Sequence, residues 1–440
     1  MKFRTFVLLS LLGGCALAQQ QSDTTGPIPA TAPGPNPLVT LASEFFEHNY
    51  FNVYGFGDAV LDSNNPTVNS AGQAQNGWGT GFEVGGGVNA SHAFRDAQLV
   101  FGYSGSYRNY QSNLYQSGSS QNLNLGYSKR LTRHLSMNVG VGAGILLYGG
   151  TFSSNEINAA VPVISNPFSP ETRYLGANLG FTYQQTRRLS YSVFGSFYLT
   201  RYNFAGAIGT TGASGGASVN YRLTARTTIS GNYSHSYFNY QQNVGNDGVD
   251  QVGLSLAHTF SRHWTVSVFG GGARSNANGI LQIPVIIQAG NQTITGYVLG
   301  PYHQIAYIPS FSGSLSHSYR RSVFSVSAGE GIAGSGNGYF LASRNIYVNG
   351  VYSYSLHGQN ISVGGSAYRL SSVANTVSSS YSSAIFSASY GRMLIRYVGL
   401  FARYDYNHWG GAVQSFSGIS DNRISFGLNF TSKGVPMTLF

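Results

Sequence analysis

The chain has 440 residues, and only 9% of them are charged, whereas soluble domains usually carry about 25%. Its 31 Tyr, 27 Phe and 3 Trp outnumber its 24 Lys and Arg and 14 Asp and Glu taken together. This composition excludes an ordinary soluble enzyme and a disordered chain. A mean hydropathy of -0.08 also excludes an apolar helical membrane protein. A chain that is neutral on average yet aromatic indicates β-sheet with one apolar and one polar face.

The first 18 residues have the pattern of a secretory signal. Lys2 and Arg4 precede an apolar run at 5–12, which is shorter than the roughly 20 residues that a membrane helix needs. Cleavage after Ala18 is favoured, and a lipoprotein-type cleavage before Cys15 is the alternative. Cleavage after Ala18 removes the only cysteine, so the mature chain would hold no disulfide or thiolate site. It also removes two basic residues, which lowers the net charge from +10 to +8.

Residues 19–48 follow as a proline-rich periplasmic leader. Asn36 and Pro37 are typical of a helix start, with Asn as the cap. Apolar residues then recur with helical spacing at Leu38, Leu41, Ala42 and Phe45. This pattern predicts a short amphipathic helix at 37–48. Two interpretations stay open for it, a packing segment at the mouth of the following domain and a plug or partner-docking helix.

From Tyr50 onward the hydrophobic period changes to two, as in β-strands. Leu123, Leu125 and Tyr127, for example, alternate with polar neighbours. Short turns with basic tips separate pairs of strands, and long polar connections alternate with these turns. The basic residues near the turns are Arg95, Lys129, Arg130, Arg133, Arg187, Arg188, Arg222, Arg226, Arg262, Arg320, Arg321, Arg392 and Arg396. Eight short turns join sixteen strands, and further strands at about 50–60 and 421–430 make eighteen.

This pattern resembles bacterial outer-membrane β-barrel proteins, including porins. The resemblance rests on the signal, the repeated hairpins and the last strand, in which Ile424, Phe426, Leu428 and Phe430 occupy every second position. It implies an all-β fold: a transmembrane up-and-down antiparallel β-barrel at 49–430, with short periplasmic turns and long extracellular loops. The count is about 18 strands, or 16 if one weak segment is misread. Residues 431–440 would form a C-terminal extension.

The resemblance also implies a bacterial outer-membrane location and insertion by the family's barrel-insertion machinery, which would read the last strand. Phe440 is a competing end for that signal, although Pro436 disfavours a strand there. The basic short turns predict contact with anionic lipid headgroups on the periplasmic side. This placement argues against nucleic-acid binding.

Charged residues on the polar face are few and therefore informative. By alternation Glu83, Arg108, Arg403, Asp405 and Arg423 point into the lumen. They lie on strands 2, 3, 17 and 18, which become neighbours when the barrel closes. Two roles are open for them, a field that selects solutes in a pore and salt bridges that brace the closing seam.

The longest connection, at 275–303, is too apolar to lie bare in water. Folded into the lumen it would form a constriction, and stacked above the membrane it would form a hairpin. The apolar residues of the predicted constriction are Ile280, Leu281, Ile283, Val285, Ile286 and Ile287.

Barrels of 16–18 strands generally enclose an aqueous channel, so the sequence predicts passive diffusion of small polar solutes. Two alternatives remain, an export conduit for a polysaccharide or other product that works with a periplasmic partner, and a plugged structural or adhesion barrel. We predict no enzyme, no catalytic residues, no metal and no cofactor. His235 and His408 lie near long loops, with Asp405 close to the second, but no motif selects them. The solute and the oligomeric state stay open.

Overall fold

The structure, a computed structural model, describes most of the chain from residue 50 onward. The described ranges are 50–63, 78–111, 117–147, 171–203, 209–241, 244–289, 292–333, 343–356, 358–372, 380–411, 419–432 and 435–436. The predicted signal, the leader and the helix at 37–48 lie outside these ranges. Among the described residues, no helix is long and apolar enough to cross a membrane.

Long antiparallel strands make up nearly all of the described chain. They are β1 (Tyr50–Asp62), β2 (Gly79–Ala93), β3 (Ala97–Tyr110), β4 (Gly118–Arg130), β5 (Leu135–Leu147), β6 (Glu171–Gln184), β7 (Leu189–Tyr202), β8 (Thr210–Arg222), β9 (Thr227–Tyr240), β10 (Gly245–Thr259), β11 (Trp264–Ala289), β12 (Gln292–Tyr319), β13 (Ser322–Ala333), β14 (Ser343–Leu356), β15 (Gln359–Ser372), β16 (Ser380–Ile395), β17 (Val398–Gly411) and β18 (Ile419–Thr431). A two-residue strand, β19 (Val435–Pro436), follows.

The sheet closes on itself. Each long strand pairs with the next one along the chain, and β1 pairs with β18 from Tyr54↔Thr431 to Asp62↔Arg423. The short β19 extends this seam by pairing with the first two residues of β1. The prediction of an eighteen-stranded, up-and-down barrel is therefore confirmed. Closure satisfies both edges of the sheet, which a β-structure in lipid requires.

The short turns fall where the sequence places them, and a hydroxyl side chain stabilises several of them. Thr132 Oγ1 accepts a hydrogen bond of 3.0 Å from the Leu135 amide, and Thr186 Oγ1 accepts one of 3.0 Å from the Leu189 amide. Ser261 Oγ accepts one of 3.2 Å from the His263 amide. Ser and Thr favour turns because they satisfy local backbone donors in this way.

The connection at 275–303 is a paired hairpin and not an irregular loop, so its backbone agrees with the hairpin that the sequence analysis left open. Its backbone is β-strand: β11 has 26 residues and β12 has 28, and they pair without a register shift up to Ala289↔Gln292. The run of Ile and Val residues favours extended structure over a loop. The part beyond Gly279 and Tyr302 has no neighbour in β10, which ends at that level. We call residues 280–301 the ribbon.

Candidate functional site: the inner wall of the barrel

The two faces of the barrel wall are inverted relative to a soluble protein. On β4 the side chains of Leu123 and Leu125 are exposed, whereas Asn122 and Asn124 between them are buried. Large apolar side chains with the same outward parity are exposed on almost every strand. Soluble proteins rarely expose contiguous apolar surface of this size. An apolar exterior around a polar interior is the arrangement of a barrel that spans lipid.

The charged residues predicted for the lumen converge on the closing seam. β2 and β3 bring Glu83 opposite Arg108, and the Arg108 Nη2 lies 2.5 Å from the Glu83 Oε2. On β17 the Arg403 Nη2 lies 2.8 Å from the Asp405 Oδ1. Arg423 on β18 reaches across the seam to β1, where its Nη2 lies 3.2 Å from the Asp62 Oδ2. All five predicted residues therefore take part in ion pairs.

The sequence analysis missed several members of this group, chiefly on β1. Asp62 is the partner of Arg423, and the Tyr110 hydroxyl donates a hydrogen bond of 2.8 Å to the same carboxylate. Asp58 on β1 and Asp421 on β18 share its inward parity. Tyr54, Asp58 and Asp62 lie on the same face of β1, because side chains alternate along a strand. The buried Tyr54 marks this face as the inner one, so both acids point inward. Only closure of the sheet shows that Asp62 meets Arg423.

We call Asp58, Asp62, Glu83, Arg108, Arg403, Asp405, Asp421 and Arg423 the charged seam. It holds five carboxyl groups against three arginines, so pairing leaves an excess of acid. The side chains of Arg423 and Asp62 are only 4% and 2% exposed, whereas the Arg403 side chain is 21% exposed. The Arg423–Asp62 pair is therefore sealed into the wall, whereas Arg403 is partly exposed, and the two roles predicted for these residues both stay open.

An apolar group of side chains lies across the lumen from the charged seam. Tyr198, Phe238, Tyr240, Val249 and Ala273 form a buried cluster that also includes Ile332. Most of these residues belong to β7 and β9–β11. In a ring of eighteen strands, β9 and β10 lie half a turn from the β18–β1 seam. This cluster also borders buried polar groups, since Asp247 shares the inward face of β10 with Val249 and accepts a hydrogen bond of 2.9 Å from the Ser275 hydroxyl.

The predicted constriction residues belong to the ribbon. Ile280 is exposed at its base, and its amide donates a hydrogen bond of 2.8 Å to the Val244 carbonyl. Leu281, Ile283, Val285 and Ile287 occupy alternate positions of β11, in the part that pairs with β12 alone. Ile286 has the opposite parity.

The predicted insertion signal lies on the outer face of β18. Ile424, Phe426, Leu428 and Phe430 are all exposed there, and this strand pairs with β17 on one side and β1 on the other. The competing Phe440 lies outside the described residues.

The two histidines singled out in the sequence have separate surroundings. The His408 Nδ1 lies 2.8 Å from the Ser420 Oγ, and Asp405 instead pairs with Arg403 on the opposite face of β17. The His235 Nδ1 lies 2.8 Å from the Asp250 Oδ1 on the outside of the barrel. Within the described ranges, no group of three or more His, Cys, Asp or Glu side chains could hold a metal ion.

No protein-family model matches the chain, and no curated protein matches it in sequence. Among solved structures, it is similar to Pseudomonas aeruginosa OccK2 (OpdF) in complex with glucuronate, with 10% identity, a TM-score of 0.43, and coverage of 88% of this chain and 99% of that one. It is also similar to OpdQ of the same organism, with 10% identity, a TM-score of 0.40, and coverage of 89% and 99%. The outer membrane protein opdK of that organism gives 9% identity, a TM-score of 0.38, and coverage of 87% and 99%.

Proposed function

We propose that this protein is an outer-membrane channel through which small polar solutes diffuse passively. The observation that carries the proposal is the inverted wall, a closed eighteen-stranded barrel with apolar side chains outside and Ser, Asn, Thr and ion pairs inside. Barrels of this strand number are wide enough for an aqueous path. A wall of hydroxyl and amide groups replaces part of the hydration shell of a polar solute.

The charged seam sets the sign of the field in this path. Arg108, Arg403 and Arg423 each have a carboxylate partner, whereas Asp58 has no arginine partner among the described ion pairs. An inward carboxylate without a basic partner favours cations in a pore. We therefore assign a cation preference to the channel.

Planar-bilayer recording of the refolded protein tests this proposal. The expected result is discrete conductance steps with a reversal potential that indicates cation preference in a salt gradient. Asp58→Asn should lower that preference, and Asp96→Asn is the matched control, because Asp96 lies at a short turn and pairs with Arg130. Absence of any conductance from correctly folded barrels would refute the channel.

Arg403→Glu separates selection from bracing. Since Arg403 is the accessible arginine of the seam, reversing its charge should raise the cation preference. If ion selectivity stayed unchanged while stability fell, the charged seam would stabilise the barrel without selecting ions.

The ribbon provides a second test of the same function. We propose that its aliphatic residues narrow the path at the long-loop mouth. Replacing 280–301 by a two-residue turn joins Gly279 to Tyr302, which already face each other across the hairpin. The barrel below should still fold, and the conductance should increase. An unchanged conductance would place the ribbon away from the path.

A further inference from the structure

The outside of the barrel carries a second band of charge, at the end opposite the basic short turns. Five arginines occupy it, and each shares its parity with exposed apolar side chains of the same strand. They are Arg173 on β6, Arg201 on β7, Arg274 on β11, Arg344 on β14 and Arg369 on β15. Except for Arg274, each lies within four residues of the long-loop end of its strand. Polar exteriors of membrane barrels begin where the hydrocarbon ends.

The band is organised as three clusters of similar composition. In the first, Arg173 pairs with Glu171, and Arg201 lies directly opposite Arg173 on the neighbouring strand. Like charges in directly opposed positions repel each other in a sheet. No carboxylate of the described residues pairs with Arg201, so the pair retains one positive charge after Glu171 is counted.

The second and third clusters also combine one acid with two basic groups. Asp250 accepts from His235 and lies 3.9 Å from the Arg274 Nη1, in one row across β9, β10 and β11. On β13–β15 the Arg344 Nε lies 2.5 Å from the Glu330 Oε1. Arg369 is diagonal to Arg344, because Ile346 faces Arg369 in the register, and it has no carboxylate partner among the described residues.

In the first and third clusters the acid orients one arginine, and a second arginine has no carboxylate partner among the described residues, whereas in the second cluster Asp250 contacts both His235 and Arg274. Below each cluster the wall is apolar: Leu175 and Phe197 are exposed under the first, Leu254 under the second, and Val348 and Val363 under the third. A ligand that suits both parts has an anionic head and long apolar chains.

We propose that the first and third clusters bind the phosphate groups of phosphorylated lipids in the outer leaflet, whose acyl chains then lie on the apolar wall below. Arginine suits this role because its planar guanidinium forms paired, charge-assisted hydrogen bonds with phosphate. The first cluster lies on β6–β7 and the third on β13–β15, so lipid binds at two separate places around the barrel. The proposal depends on insertion with the long loops outward and does not depend on conduction.

Native mass spectrometry of the full mature barrel in detergent tests the proposal, with bisphosphorylated lipid A as the probe. Arg201→Gln and Arg369→Gln remove the two available arginines and leave Arg173 and Arg344, which are bound to Glu171 and Glu330, in place. Each should weaken lipid A binding at its cluster about tenfold, because one charge-assisted hydrogen bond is lost. Arg188→Gln, at a short turn on the opposite rim, is the matched control and should bind like the unmodified protein.

Changes to the lipid probe test whether its phosphate groups and its acyl chains both contribute to binding. Dephosphorylated lipid A should bind at least tenfold more weakly, an effect of the same size as the loss of one arginine. Excess inorganic phosphate should leave lipid A bound, because the acyl chains contribute most of the contact. The proposal would be overturned if a protein with both Arg201→Gln and Arg369→Gln bound lipid A like the unmodified protein. Equal binding of dephosphorylated lipid A, or displacement of lipid A by inorganic phosphate, would also overturn it. Because conductance and heat-modifiable mobility are measured on the same samples, a misfolded variant is recognised independently.

Discussion

At the scale of single residues, the closing seam depends on a buried ion pair. Arg423 and Asp62 come from the two ends of the chain, and both side chains are almost fully buried. A second contact, from the Tyr110 hydroxyl, satisfies the same carboxylate. Buried charges are tolerated only when they are paired and hydrogen-bonded. The pair therefore makes closure specific, because a shifted register would leave a charge without its partner.

Arg423→Gln should lower the free energy of unfolding by about 3–5 kcal/mol, since it leaves the buried Asp62 carboxylate uncompensated. Urea unfolding of the refolded protein in detergent measures this loss. Arg403→Gln is the matched control, and its more exposed pair should cost clearly less. The double variant Asp62→Asn, Arg423→Gln should recover part of the stability. Equal losses for Arg423→Gln and Arg403→Gln would contradict a special role for the sealed pair.

Two adjacent glycines of β11 differ sharply in the space around them. A Cβ on Gly271 would lie 2.2 Å from the Val252 carbonyl oxygen of β10, whereas a Cβ on Gly272 would meet nothing within 4 Å. We expect Gly271→Ala to cost about 1–3 kcal/mol of unfolding free energy, as overpacking does. Gly272→Ala should stay within about 0.5 kcal/mol of the unmodified protein. Urea unfolding of the two variants measures this difference. Equal unfolding midpoints for Gly271→Ala and Gly272→Ala would show that β10 can move aside.

At the scale of elements, the last strand joins the two ends of the chain. β18 presents its apolar side chains outward and pairs along nine residues with β1. Strands earlier in the chain need only a neighbour joined to them by a turn. Pairing between β1 and β18 instead brings together residues about 360 positions apart, for instance Asp62 with Arg423. Such long-range pairing forms late, because the loop that it closes costs the most chain entropy.

Phe430→Ser should reduce the amount of folded barrel in cells, because it removes the last outward apolar residue of β18. The readout is the heat-modifiable band of membrane fractions in an unboiled gel. Phe440→Ser is the matched control and should leave that band unchanged if β18 carries the insertion signal. The reverse order of the two effects would assign the signal to the chain terminus instead.

At the scale of the whole molecule, closure converts many short strands into one cooperative unit. Every long strand has two neighbours within the barrel wall, so in the described chain only the extension of β11 and β12 above the wall has unpaired edges. Opening the ring would expose two edges at once, together with an apolar exterior. The same closure divides the surface into a lumen face and a lipid face. Because charge is unfavourable on the lipid face, the chain carries few charged residues.

Deleting β1 should abolish the folded barrel, because it leaves β2 and β18 each without a partner. Deleting residues 19–48, which precede the barrel in the sequence, should leave it intact. Heat-modifiable mobility and resistance to protease measure both outcomes. A folded species without β1 would mean that β2 can close directly on β18.

The architecture could be predicted from the sequence because the strands and turns of a membrane barrel have characteristic local sequence patterns. Alternation of period two, turns with repeated basic tips and the apolar last strand predict strand number and direction without tertiary information. The inward direction of Glu83 and Arg403 follows from parity with their neighbours. The backbone of 275–303 could not be predicted in this way, because an apolar run between polar segments fits both a folded-in loop and an extended hairpin.

Alternation predicts the face of a strand on which a residue lies, but only the tertiary structure shows which residues contact each other. The pairing of Asp62 with Arg423 depends on the register of the closing strands, and the meeting of Arg173 with Arg201 depends on that of β6 and β7. The opposition of the charged seam to the apolar cluster depends on the curvature of the whole ring. Alternation is a property of neighbouring residues and is local. Partnership between distant strands is fixed only when eighteen strands share one closed hydrogen-bond network.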